Sequence, residues 1–285
     1  MKRLFLVWTV AFVATVAFLV WQKISGPTYP VRFDTEIAGV PLKGELLRTH
    51  SITGDMPVTV AMPDSTVAGT VVWRRYPTGD DWTRTPMSWA DGQLRALLPK
   101  QGMAGKLEYD VQFEKDGQKV VIPPGEAAVA RYKGDVPNLV LVFHVSFMIL
   151  GMLFSTGCGL DALFGGSSGL KPLSRITFFC LFVGGLVLGP LVQKYAFDAY
   201  WTGWPFGSDW TDNKLAVGAL VWLAAVWFTR RAAPGRPAGK WVCVVAMLTI
   251  FVIYGIPHSI HGSTLDYETG EHIQTMMIEF VRFLA

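Results

Sequence analysis

The residues with the widest chemical range in this 285-residue chain are five histidines and three cysteines, most of them in or beside apolar runs. His144 falls inside the apolar run Pro137–Thr156, about seven residues from its outer end and so ~10 Å deep at the helical rise. An ionisable side chain at membrane depth is a functional candidate by default. Met148 and Met152 follow at i+4 and i+8, which puts all three side chains on one helix face. His258 and His261 close the last apolar run in Pro257–Ser263, PHSIHGS. Imidazole and thioether together suit copper(I), and histidines from two helices hold b-type haem. His144, His258 and His261 are therefore the candidate cofactor ligands, with Met148 and Met152 as metal ligands. The competing reading is structural: a core histidine bonded to a carbonyl, two packing methionines and two loop histidines. It is the expectation taken here, with no cofactor bound and haem b or copper as the alternative.

A second constellation lies in Tyr200–Lys214, YWTGWPFGSDWTDNK, with three tryptophans, two aspartates and an asparagine. Trp204 and its neighbouring rings suit a water–lipid boundary. The polar residues Ser208–Asn213 must face water or protein, because lipid cannot satisfy them. Asp209, Asp212 and Asn213 form D-x2-D-N, too few oxygens and the wrong spacing for a calcium loop. Capping is the simpler chemistry, with Asp212 placed to complement the dipole of a helix beginning near Leu215. Gly157–Gly169 lacks the Lys-Ser/Thr of a phosphate-binding loop and reads as a turn. Ser259, Ser263 and Asp266 stand near His258 in sequence without defining a nucleophile–base pair. A non-catalytic protein is the expectation.

These residues need membrane helices to position them. A charged fraction of 16% with 51% hydrophobic residues fits neither a soluble enzyme nor a pure membrane bundle, but a mixture of both. The net charge of +3, with no basic tract, argues against nucleic acid as a partner. No CxxC or CxxCH occurs, and Cys158, Cys180 and Cys243 all sit in or beside apolar runs, so no disulfide framework is on offer. Lys2 and Arg3 precede an apolar run of roughly 17 residues without a small-x-small cleavage site, which reads as an uncleaved anchor. Further spans are expected at about Pro137–Thr156, Ile176–Lys194, Leu215–Thr229 and Trp241–Pro257, with Pro190 kinking the third span of the chain.

Between the anchor and the second span the pattern changes. In Lys106–Val121, residues Leu107, Tyr109, Val111 and Phe113 alternate with Glu108, Asp110, Gln112 and Glu114, a half-buried strand followed by the hairpin signal Asp116–Gly117. Other strands are expected at Val31–Ile37, Lys43–Ser51, Pro57–Met62, Ala68–Tyr76, Gln93–Leu98 and Ala127–Tyr132, a spacing that suggests an immunoglobulin-like sandwich. The expected fold is thus mixed: a transmembrane anchor over 1–24, an extracytoplasmic all-β immunoglobulin-like sandwich over 25–135, four transmembrane helices over 136–257, and a tail over 258–285. His272, Ile273, Met276, Met277, Phe280, Val281 and Leu284 recur at helical spacing in that tail, predicting an amphipathic helix. Arg230, Arg231, Arg236 and Lys240 in one loop and Lys171 and Arg175 in another belong in the cytoplasm. The N-terminus then lies on the cytoplasmic side of a bacterial inner membrane, with the sandwich and the C-terminus periplasmic. The expected partners are the lipid bilayer and a protein bound through the sandwich.

Overall fold

The computed structural model describes residues 2–164, 169–207, 209–233, 236–257 and 263–270, and the backbone of His272–Ile273. Two compact units divide them. Thr28–Asp135 and Ser263–Ile273 form a β unit; the rest, within Met1–Pro27 and Val136–Gly262, form a helical unit.

The β unit has eleven strands before the helices: β1 Val31–Ile37, β2 Val40–Leu46, β3 Thr49–Ser51, β4 Met56–Ala61, β5 Ala68–Arg75, β6 Thr83–Pro86, β7 Ser88–Ala90, β8 Gln93–Leu98, β9 Lys106–Lys115, β10 Gln118–Ile122 and β11 Ala128–Lys133. They make two sheets, β1-β2-β4-β8-β7 and β3-β11-β9-β5-β6, with β10 also paired to β9. The alternation of β9 is realised: Leu107, Tyr109, Val111 and Phe113 are buried in the core, with Met56, Val58, Val60, Leu94 and Leu98 among their companions from the other sheet. Asp116 and Gly117 both have positive φ, 49° and 77°, as the tight mirror-image hairpin turn between β9 and β10 requires.

Two departures from the expected strands share one cause. The chain changes sheet at Leu47–Arg48, dividing the expected Lys43–Ser51 strand into β2 and β3. It changes again at Met87, between β6 and β7, which carry no clean alternation in sequence. At each crossing the backbone is held from the other side: Leu47 O accepts from the Tyr109 hydroxyl at 2.8 Å, and Met87 N–H donates to Gly69 O at 2.8 Å.

The helical unit comprises α1 Lys2–Ser25, α2 Asn138–Phe164, α3 Leu170–Leu181, a π-helical segment Phe182–Leu188, α4 Gly189–Phe197, α5 Trp210–Thr229 and α6 Lys240–Gly255. Among the described residues three stretches are long and apolar enough to cross a membrane: Lys2–Ser25, Asn138–Phe164 and the continuous Leu170–Phe197; α6 is apolar but shorter. At one end of the unit, Trp21 Nε1 and Gln22 Nε2 of α1 donate to Gly255 O and Ile256 O at 2.8 and 2.9 Å. Lys214 Nζ of α5 reaches Ile256 O at 2.9 Å. At the opposite end Arg3 pairs with Asp161 at 3.6 Å, and Ser174 bonds Thr229 at 2.8 Å. Taking Leu170–Phe197 as one continuous helix, successive helices therefore run antiparallel.

α2 continues through Gly157-Cys158-Gly159, where the sequence suggested a turn. These glycines are packing surfaces. A Cβ at Gly157 would meet the Trp8 ring at 2.9 Å, and one at Gly159 would run into the Met247 thioether, the small-residue contact that lets helices approach closely. Near Pro190 the helix widens rather than breaks. Pro190 has no N–H to give, and Gly189 N–H bonds Gly184 O in the π pattern.

After the helices the chain returns to the β unit. β12 Thr264–Leu265 pairs with β13 His272–Ile273, so these two residues of the expected amphipathic helix are extended; residues 274–285 lie outside the described residues. Leu265 N–H donates to Ala104 O at 3.1 Å. The Tyr267 hydroxyl accepts from Lys106 N–H and donates to Lys106 O, both at 2.8 Å, a side chain serving as ladder partner where β9 begins.

Candidate functional site

Tyr200–Lys214 is organised by its two acids. Asp209 is the N-cap of α5, its Oδ1 accepting from Thr211 N–H at 2.7 Å. Asp212, expected in that role, instead sits in the first turn and faces back: its Oδ2 accepts Thr202 N–H at 2.7 Å and Gly203 N–H at 3.0 Å. Asn213 Oδ1 accepts Trp204 N–H at 2.7 Å. The Thr202 hydroxyl accepts from Gln193 Nε2 at 2.6 Å and lies 3.1 Å from Asp209 Oδ2. Three successive backbone amides are thus held by α5 side chains. Gly203 is required there, since a Cβ would lie 2.7 Å from both Asn213 Oδ1 and Asp212 Cβ. The knot presents its rings outward: Trp204 is 72% exposed, and Tyr200, Phe206 and Trp210 are exposed beside it in sequence. D-x2-D-N here shapes a loop that displays an aromatic rim suited to a membrane boundary.

His144 and Met148 meet at the π-helical segment. His144 Nδ1 lies 2.8 Å from Gly184 O. A carbonyl oxygen only accepts, so Nδ1 carries the proton and Nε2 of the neutral ring keeps its lone pair. The Met148 thioether lies 3.3 Å from where a Gly184 Cβ would be. Leu215 packs on Gly185 and stands, with the His144 ring, next to Gly189. His144 therefore packs beneath the start of α5, while Lys214, one residue earlier, reaches the end of α6. Met152, one turn on, is buried in a core cluster with Leu181, Trp222 and Ile250, against which Met148 also packs. His258 and His261 lie outside the described residues.

Two participants went unread in the sequence. Gln193 is a polar residue inside an apolar helix, and that was its signal. Thr202 carried none, since its role arises from Asp209 and Asp212 folding back over it.

The β unit holds a part-buried lysine, Lys106, where β9 begins. Burial, with the Arg131 guanidinium second, pushes its ammonium down to about 7. Arg131 is its cross-strand partner on β11, and Lys106 Nζ bonds the Thr264 hydroxyl of the returning segment.

No protein-family model matches the chain, and comparison with curated proteins finds no match. Among solved structures, a crystal structure of a Br derivative of BhCBM56 is similar at 11% identity, covering 34% of this chain and 97% of its own, with a TM-score of 0.25. A likeness that low carries no argument about function.

Proposed function

We propose that this chain is an integral protein of a bacterial inner membrane, a non-catalytic subunit that presents an immunoglobulin-like β unit on the periplasmic side to a protein partner. One observation carries the reading. Ser263–Ile273, which follows α6, belongs to the same β unit as Thr28–Asp135. A folded unit occupies one side of a bilayer, so the chain between them crosses an even number of times. α2 and Leu170–Phe197 are two crossings. α5 and α6 then cross as a pair, the 20 residues of α5 meeting the usual length and the shorter α6, 16 residues including Lys240 and Trp241, anchored by those two at the interface. With α1 there are five spans. Lys2, Arg3, Lys171, Arg175, Arg230, Arg231, Arg236 and Lys240 then gather at the cytoplasmic end, and Asp198, Asp209 and Asp212 at the other. On the β unit, Trp82, Trp89 and Leu97 are exposed apolar side chains available to a partner.

The experiment is labelling of introduced cysteines by an impermeant maleimide in cells with a permeabilised outer membrane. Thr269→Cys is expected to react and Ala233→Cys to stay protected; reaction at 233 ends the reading. Photo-cross-linkers at Trp82, Trp89 and Leu97 test the partner, and a chain that forms no discrete adduct in its native membrane argues against it.

A second reading, a haem or copper protein, has its own observation. His144 donates Nδ1–H to a carbonyl and leaves Nε2 free, the arrangement that metal-bound histidines adopt, and it does so at a π-helical segment, a frequent mark of functional sites. The test is an absorption spectrum with metal analysis. A Soret band or stoichiometric copper, lost in His144→Ala and kept in His272→Ala, selects this reading; a colourless, metal-free protein rejects it.

A further inference from the structure

We propose a binding site for the headgroup of an anionic phospholipid where α5 ends and α6 begins, with Arg230 and Lys240 as its phosphate ligands. It rests on the reading that α5 and α6 cross the bilayer. Packing draws this end of the helical unit together. The Ser174 and Thr229 hydroxyls, 2.8 Å apart, join the start of α3 to the end of α5. Gly239, the N-cap of α6, lies against the same end: a Cβ on it would stand 2.9 Å from Thr229 N and from Phe228 C. Thr229 and Gly239 are thus in contact, and the residues that follow them are Arg230 and Lys240. Each cation is held over an indole. The Arg230 guanidinium carbon lies 3.6 Å from the centroid of the Trp227 ring, and the Lys240 ammonium 5.2 Å from that of Trp241. A guanidinium stacked on a ring keeps its N–H donors in its own plane and offers two of them to a phosphate.

Charge and shape name the occupant. No acid occurs between Asp212 and Asp266, a stretch that also carries Arg231 and Arg236. Asp161, the one acid between Asp135 and Asp198, is engaged by Arg3 at 3.6 Å. Lys240 opens α6 at the positive end of its dipole, with no acid in the first turn, so nothing within the helix offsets its charge. Both indoles are exposed, and each heads an exposed apolar stripe: Leu220, Leu223 and Trp227 at i, i+3 and i+7 on α5, and Trp241, Val245, Leu248 and Val252 at i, i+4, i+7 and i+11 on α6. A cation above an apolar stripe matches a phosphate above an acyl chain. An interfacial cation alone would only snorkel to water; two of them stacked at neighbouring positions form a fixed pair, the kind of basic site that binds anionic headgroups.

The test uses the full chain, delipidated in a non-ionic detergent and titrated with dioleoyl phosphatidylglycerol under native mass spectrometry, with dioleoyl phosphatidylcholine as the net-neutral control. Phosphatidylglycerol is expected to bind about tenfold or more tightly than phosphatidylcholine. Arg230→Gln and Lys240→Gln are each expected to weaken it by about fivefold, and together by roughly 25-fold. Trp227→Leu, which removes the stack and no charge, is expected to cost about two- to fivefold. Arg231→Gln removes the same charge and touches neither stack, and is expected to cost less than about twofold. The site is overturned by equal affinity for the two lipids. It is overturned too by an Arg231→Gln loss as large as that of Arg230→Gln, which would mean diffuse attraction to any anionic surface. Displacement of the lipid by excess inorganic phosphate would likewise overturn it, as the mark of a free-anion site. Orientation is read separately: maleimide reaction at residue 233 ends the topology and leaves the detergent titration standing, whereas a protected residue 233 with no lipid preference overturns the site alone.

Discussion

Tyr267→Phe isolates the bond that returns the C-terminal segment to the β unit. The phenylalanine ring keeps the packing of Tyr267, including the Arg75 guanidinium 5.0 Å from the ring centroid. Only the hydroxyl is lost, and with it one bond accepted from Lys106 N–H and one donated to Lys106 O. Lys106 O keeps the Tyr76 N–H at 2.9 Å. Lys106 N–H keeps no partner in that geometry, and a part-buried amide without one costs about 1–3 kcal/mol. A destabilisation of about 1–2 kcal/mol changes an opening equilibrium by roughly 5–30-fold. Hydrogen exchange followed by mass spectrometry on the full chain in detergent reads this directly. Peptides covering 104–110 and 263–270 are expected to exchange faster by that factor in Tyr267→Phe, with peptides from α2 and α6 unchanged. Exchange over 104–110 indistinguishable from wild type would refute the reasoning, because it would mean the hydroxyl does not hold the start of β9.

Three more expectations follow from the same contacts. Lys106 has a folded-state pKa lowered to about 7, so the unfolded chain holds a proton that the folded chain has released between about pH 7 and the ordinary lysine value near 10.4; stability of the β unit should rise with pH across that window, and Lys106→Met should flatten the rise in denaturant titrations. Asp209→Ala removes a helix cap worth about 1 kcal/mol, whereas Asp212→Ala strands the amides of Thr202 and Gly203 and should lower the melting temperature more; equal losses would count against the loop assignment. Tyr109→Asp puts a carboxylate into the centre of the sandwich core, and a variant that still unfolds cooperatively at the wild-type midpoint would show that this face of β9 is not the buried one.

The features legible before any coordinates are those written in local periodicity. Alternation over Leu107–Phe113 places those side chains inside because a strand turns each residue to the opposite face. Asp116–Gly117 announces its turn because the mirror-image hairpin turn needs positive φ at both positions. The apolar runs announce helices at Lys2–Ser25 and from Asn138 onward, because a backbone in lipid must satisfy its own hydrogen bonds. Where the sheet is crossed at Leu47 and Met87 the period is interrupted, and no local pattern says which sheet comes next. The cap of α5 was misplaced by three residues because Asp209 and Asp212 are the same chemistry in sequence; only the fold-back of Thr202 and Gly203 tells the cap from the cradle. His144 announces a polar group at depth, but its acceptor is a carbonyl forty residues away, which no local pattern names. The return of Ser263–Ile273 to the β unit is the furthest from local information. Tyr267 and Lys106 stand 161 positions apart, and nothing in either neighbourhood names the other. Their pairing exists because β9 begins with an amide and a carbonyl that folding must satisfy, and the chain that arrives after α6 brings the hydroxyl that satisfies them.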